Sequence, residues 1–193
     1  MNPQKCHHHC HQCHYHCHQC HHHDHHPVPK DVIVLGHYWR DYTGEIPEDA
    51  FPGGHDSNNK PIYIGQAFLK GGEMIPTSIY PGQAGMKLPC NWKANYSDIG
   101  MKILCSSNPD SLSWENVTAS NLHSTTAGKQ LVVGGFQDKN KFIVGRVKHE
   151  KELLVGKVLG YTNGSAKLHF VGDDKEISVE SYQVLIQSST NNC

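Results

Sequence analysis

Beyond residue 31 the chain is written twice. GGHDSNNKPIYIGQAFLKGGEMIPTSI aligns with GGFQDKNKFIVGRVKHEKELLVGKV, so that Gly53-Gly54 falls on Gly134-Gly135, Gly65 on Gly145 and Glu73 on Glu152, at an offset of about eighty residues. Trp39 and Trp114 open the two units, and MKIL and YQVL close them. A duplication of this length constrains the fold more than any single motif, because whatever one copy forms the other must form too. Each copy reads as short strands. KPIYIGQAF, KFIVGRVKH, KELLVGKVLG, SAKLHFVG and ISVESYQVLI are rich in Val, Ile, Phe and Tyr and are broken by DSNNK, PGQAG, QDKNK and TNGS, which is strand composition interrupted by turn chemistry. No segment holds a 3.6-residue apolar period long enough for a helix. The expectation is an all-β domain of eight to ten strands. A lone copy of about seventy residues would leave its apolar sheet face uncovered, so the copies are expected to share one cooperative core.

The chain divides into a tail and linker at 1–30, a first copy at 31–108, a second at 109–187 and a short C-terminal tail at 188–193. The duplicated part is long enough to bury a core. Lys and Arg number 17 against 18 Asp and Glu, without clusters, so no surface built to neutralise phosphates is expected and nucleic acid is excluded as a partner. No apolar run approaches the ~18 residues of a membrane span, so no stable membrane insertion is expected. The N-terminus lacks an apolar signal core. The expected compartment is the cytosol, with vesicle association or non-classical release as alternatives. Cys90, Cys105 and Cys193 are then expected as free thiols.

Residues 6–26 read CHHHCHQ CHYHCHQ CHHHDHH. Cys6, Cys10, Cys13, Cys17 and Cys20 alternate spacings of four and three, and Asp24 takes the next such position. Ligands two to four residues apart let one short loop wrap a tetrahedral ion. The candidate ligands are these five thiols, Asp24 and the histidines among them, foremost His7, His9, His14, His16, His21 and His23. Thiolate with imidazole suits Zn(II), and equally Cu(I), Cu(II) or Ni(II). With four ligands per ion and eighteen candidate side chains, the ceiling is about four ions. His is a poor helix former and nothing here caps or packs a helix, so the metal-free tail is expected to be disordered. Its histidines titrate near pH ~6.5, so acid would protonate the ligands, release metal and leave a cationic arm.

The order Gly-Gly, Asp, aromatic-x-x-Gly, a lysine position and aromatic-x-Val-Leu, spread over W…GEIPEDAFPGGHDSNNKPIYIGQA…GEMIPTSI…MKIL and its partner W…LVVGGFQDKNKFIVGRV…KELLVGKV…SYQVL, resembles a tandem pair of DM-nine repeats. This is an invertebrate family also found joined to pore-forming modules in natterin-like toxins. The resemblance covers about residues 37–187 and leaves out the tail. It implies a compact β-sandwich-like domain with an approximate internal two-fold and, as in characterised relatives, mannose-binding lectin activity in innate immune recognition. The family places an acid at the end of Gly-Gly-x-Asp and a lysine at the end of Pro-Gly-Lys, where the two hydrogen-bond vicinal sugar hydroxyls. Here each copy keeps one of the pair. Asp56 is matched by Ser78 at the lysine position, and Lys157 by Gln137 at the acidic position. Glu73 and Glu152 stand five residues before the lysine positions as further acceptors. If the two-fold brought the surviving Asp56 and Lys157 together, they would make one composite site.

Each residue also has a structural reading. Asp56 begins a turn in which an Asp side chain commonly bonds the backbone two residues on. Lys157 reads as a solvated strand lysine. Trp39 and Trp114 read as core or inter-repeat packing, given the area an aromatic buries. His37, His55, His123, His149 and His169 form no constellation in sequence. No G-x-S-x-G, phosphate loop or catalytic trio is present, so an enzyme is not expected. The reading is a mannose-type carbohydrate-binding, pattern-recognition module with a metal-binding tail, and the alternative is an intracellular metal-handling or stress protein that uses the β-domain as a scaffold. Expected partners are mannose-containing glycans of microbes or host, and metal ions. Weak single sites would gain from clustering of tails into a homo-oligomer.

Overall fold

A computed structural model describes residues 36–160 and 165–188. The tail at 1–30, with all its expected metal ligands, and residues 189–193 lie outside the described residues. The first copy forms β1 (His37–Asp41), β2 (Pro52–His55), β3 (Pro61–Leu69), β4 (Glu73–Ile79), β5 (Met86–Cys90), β6 (Lys93–Ser97) and β7 (Ile99–Ser106). The second forms β8 (Leu112–Thr118), β9 (Gln130–Leu131), β10 (Val133–Gln137), β11 (Asn140–His149), β12 (Glu152–Leu159), β13 (Lys167–Gly172), β14 (Lys175–Val179) and β15 (Ser181–Gln187). The all-β class holds. Among the described residues fifteen strands replace the expected eight to ten, because runs such as MKLPCNWKANYSDIGMKILC fold into several short strands joined by tight turns. Among the described residues helix is confined to a 3₁₀ turn at Pro109–Ser111 and one turn at Leu122–Thr125, and none is long and apolar enough to cross a membrane.

The pairings of one copy recur in the other. β1–β7, β2–β3, β3–β4, β3–β7 and β5–β6 correspond to β8–β15, β10–β11, β11–β12, β11–β15 and β13–β14, all antiparallel. The hairpins β5–β6 and β13–β14 turn on Asn91-Trp92 and Asp173-Asp174, each with positive φ at both residues (54° and 64°, 51° and 57°), the two-residue geometry that matches strand twist.

The copies join reciprocally. β2 of the first pairs with β12 of the second through His55 and Leu153, and β10 of the second pairs with β4 of the first through Phe136 and Met74. The sheet thereby closes on itself, in the order β2-β3-β4-β10-β11-β12 and back to β2, and the expected sandwich-like packing takes the form of a closed ring. The double glycines mark both seams. A Cβ on Gly54 would lie 1.9 Å from the Leu153 carbonyl oxygen, and one on Gly135 would lie 2.0 Å from that of Met74. A side chain at either position would push the two backbones apart.

The core is shared in the same way. Ile62 of the first copy packs in a cluster otherwise drawn from the second, with Ile143, Leu168, Phe170 and Val184. Phe142, its counterpart, packs among Ile75, Ile79, Leu88 and Ile103 of the first. Trp39 and Trp114 lie partly buried against a third cluster that mixes Ile64 and Leu104 with Val144, Val155 and Leu185, in keeping with a packing role.

Candidate functional site

The seams bring the Gly-Gly corner of one copy against the glutamate of the other. At the first seam Asp56 Oδ1 accepts hydrogen bonds from the backbone N–H of Asn58 (2.9 Å) and Lys60 (2.8 Å), the local turn bond expected of Asp. The next residue, Ser57, donates its N–H to Glu152 Oε1 (3.2 Å). Ser78 Oγ accepts from Val155 N (2.9 Å), so it too bridges the copies. Beside these lies a cleft of about 190 Å³ lined by Ser78, Tyr80, Lys87, Glu152 and Asp174, among others. Lys87 and Asp174 form an ion pair across it. Burial, together with the charges of Glu152 and Asp56, pushes the Tyr80 hydroxyl up to about 12, so it stays protonated and able to donate. The cleft is smaller than the ~300–1,000 Å³ of drug-sized pockets, and its polar groups are carboxylate, hydroxyl, amide and ammonium.

At the second seam, among the described residues, the matching polar groups pair with one another. Gln137 Nε2 donates to Glu73 Oε1 (2.6 Å), and the Cys90 thiol donates to Glu73 Oε2 (3.4 Å). Lys157 is no solvated lysine. It is 4% exposed, its Nζ lies 3.5 Å from Glu176 Oε1, and it sits 5.3 Å from the centre of the Phe142 ring. Glu176 Oε2 accepts from Trp92 N (2.7 Å), and His169 Nδ1 lies 3.2 Å from Oε1, an ion-pair distance without hydrogen-bond alignment. Burial opposes ionisation of Glu176, but His169, the Trp92 N–H and Lys157 outweigh it and hold the carboxyl below the usual range. Ser78 and Lys157 occupy matching positions; the short side chain borders a cleft and the long one is packed inside.

The six residues expected at the sugar site therefore fall in two groups: Asp56, Ser78 and Glu152 at one seam, and Gln137, Lys157 and Glu73 at the other. The composite site of Asp56 with Lys157 does not form. His55 pairs with Leu153, which sets Asp56 level with Glu152, and Lys157 stands five residues further along β12, about 17 Å at ~3.3 Å per residue. One sugar ring cannot span that.

Tyr80, Lys87 and Asp174 belong to the cleft and carried no sequence signal of their own. Trp92, 75% exposed at φ 64°, stands at the tip of the hairpin that Glu176 holds. His149, scattered in sequence, has its ligand atom within 4.8 Å of those of Glu150 and Asp173.

The DM9 repeat family model matches residues 2–96. No curated protein sequence matches the chain. Among solved structures, the crystal structure of the nematode sperm cell motility protein MFP2B matches with a TM-score of 0.59 at 15% identity, over 86% of this chain and 50% of that one. At that identity the likeness is one of fold, and this chain spans half the length of its neighbour. The duplicated unit read from the sequence and the ring that two such units close thus stand in a chain whose residues 2–96 match the DM9 repeat.

Proposed function

We propose that the folded domain is a carbohydrate-binding module whose site is the cleft at the first seam, and that the heptads of the tail bind metal. The observation that carries the first part is the cleft itself. Glu152, Tyr80, Ser78, Lys87 and Asp174 converge on about 190 Å³ with acceptors and donors set for vicinal hydroxyls, and Val155 and Val171 also line it. The mate at the second seam has its polar groups turned on one another, so one site per chain is expected, with mannose-type sugars as the ligand class that the DM9 repeat match favours. Affinity from one small cleft is weak, and clustering through the tail would supply avidity.

Titration of the full chain with mannose and galactose, by calorimetry or ligand-observed NMR, tests this against Glu152→Gln. Loss of a charged hydrogen bond of about 1.5–3 kcal/mol should weaken mannose binding roughly tenfold or more. Absence of saturable binding, or equal binding by Glu152→Gln, refutes the site.

The heptads support a second reading, in which metal handling is the function and the β-domain a scaffold. Chain purified without metal affinity resin should take up roughly two to four Zn(II), with proton release, and lose that capacity when residues 1–30 are deleted. Zinc uptake without any glycan binding favours this second reading.

A further inference from the structure

Among the described residues, Arg146 on β11 is a cation without a counter-ion. Its guanidinium lies 4.1 Å over the ring of Trp114. Nε donates to Gln183 Oε1 (2.7 Å) and Nη1 donates to the Gly53 carbonyl (3.1 Å), two neutral acceptors for a group with five donors. Among the described residues no carboxylate lies within ion-pair distance of it. Burial lowers its pKa to about 10, which leaves it charged at neutral pH. It opens onto a hollow of about 380 Å³ that Asn116, Lys148, Ser181 and Gln183 also line.

The first copy fills the matching place differently. Cross-strand register makes Gln66 the counterpart of Arg146, Lys102 that of Gln183 and Asp41 that of Asn116. There the single cation, Lys102, is closed by Asp41 at 2.5 Å. In the second copy the acid is replaced by an amide, which donates and accepts but carries no charge: Asn116 Oδ1 accepts from Gln183 Nε2 (3.0 Å). The nearest acid on β8, Glu115, is taken up by Lys129 at 2.7 Å. The cation has been moved to a planar, stacked guanidinium, the side chain best suited to a two-oxygen partner, and its internal acid has been removed.

We propose that this hollow binds a compact anionic group, a carboxylate or a phosphate or sulfate ester, with Arg146 as the primary contact and Lys148, Asn116 and Ser181 as supporting donors. The site is separate from the sugar cleft and does not depend on it. An acidic sugar such as a uronate and a free inorganic oxyanion share the required chemistry, and the test separates them.

The full chain is titrated at constant ionic strength with sodium glucuronate, inorganic phosphate and, as neutral control, glucose, with backbone amide NMR as readout. Shifts centred on residues 114–116, 146–148 and 181–183 are expected for at least one anion and not for glucose; glucuronate binding tighter than phosphate assigns the site to acidic glycans, and the reverse order assigns it to free oxyanions or phosphate esters. Arg146→Gln, the residue of the first copy, should weaken binding at least tenfold. Asn116→Asp leaves Arg146 in place and supplies the acid of the first copy, and it should abolish binding while raising the melting temperature. Saturation by neither anion, or undiminished binding by a folded Arg146→Gln or Asn116→Asp chain, overturns the proposal.

Discussion

Alanine at Gly54 and Gly135 tests the seams directly. A Cβ at Gly54 falls 1.9 Å from the Leu153 oxygen and one at Gly135 falls 2.0 Å from the Met74 oxygen, where real contacts stay beyond 3.0 Å. The obstacle in both cases is backbone, which cannot swing aside as a side chain does, so the paired strands must part by roughly 1 Å. Overpacking of this kind costs about 1–3 kcal/mol, and a weakened backbone hydrogen bond at the bridge adds about 1 kcal/mol. Neither glycine has positive φ, so alanine also stiffens the unfolded chain and returns about 0.4–1 kcal/mol. The net loss is about 2–3 kcal/mol for each variant. At about 2–4 °C per kcal/mol for a domain of this size, melting followed by far-ultraviolet circular dichroism should fall by roughly 5–10 °C. The reciprocal seams require the two variants to behave alike. Gly71→Ala is the control, since nothing lies within 4 Å of its Cβ position, and it should be neutral or slightly stabilising. A melting temperature within about 1 °C of wild type for either seam variant, or a loss as large for Gly71→Ala, would refute the reasoning.

Residues 31–108 expressed alone should be unfolded or aggregate, because β2 and β4 then lack β12 and β10, Ile62 loses the cluster it completes and the first-copy cluster loses Phe142; a sharp reversible transition by circular dichroism refutes this. Lys157→Ala should cost about 3 kcal/mol in urea unfolding, since it strands a buried Glu176 that Lys157 now neutralises; loss of less than about 1 kcal/mol would show that His169 and the Trp92 N–H suffice. Glu176 has a folded pKa below its unfolded one, so its contribution is complete above the unfolded carboxyl value of ~4.3 and is lost as pH falls through the folded value. Glu176→Gln should therefore be less stable than wild type by a constant margin near neutrality and by a shrinking margin below about pH 4. An unchanged margin down to about pH 3 contradicts the assignment.

The sequence by itself determined the strand composition, the duplication and its matched positions. Gly53-Gly54 against Gly134-Gly135, and Trp39 against Trp114, are visible at fixed offset because each copy meets the same local demands. The turn role of Asp56 was legible for the same reason, since an Asp that bonds its own backbone two residues on needs no distant partner. Partners between copies were not legible. That Gly54 meets Leu153, that Glu152 receives the N–H of Ser57, and that Phe142 completes the core of the other copy follow from closure of the ring, which joins residues far apart in the chain. Lys157 shows the limit most plainly. In sequence it is one polar residue in a strand, and its burial depends on Glu176, Phe142 and the turn at Trp92, three elements set beside it only by tertiary structure. The unpaired charge of Arg146 is likewise invisible until register places Asn116 where the first copy has Asp41. Composition and spacing fix what a short stretch prefers locally, while burial and pairing belong to the closed sheet as a whole, and they decide which charged groups pair within the fold.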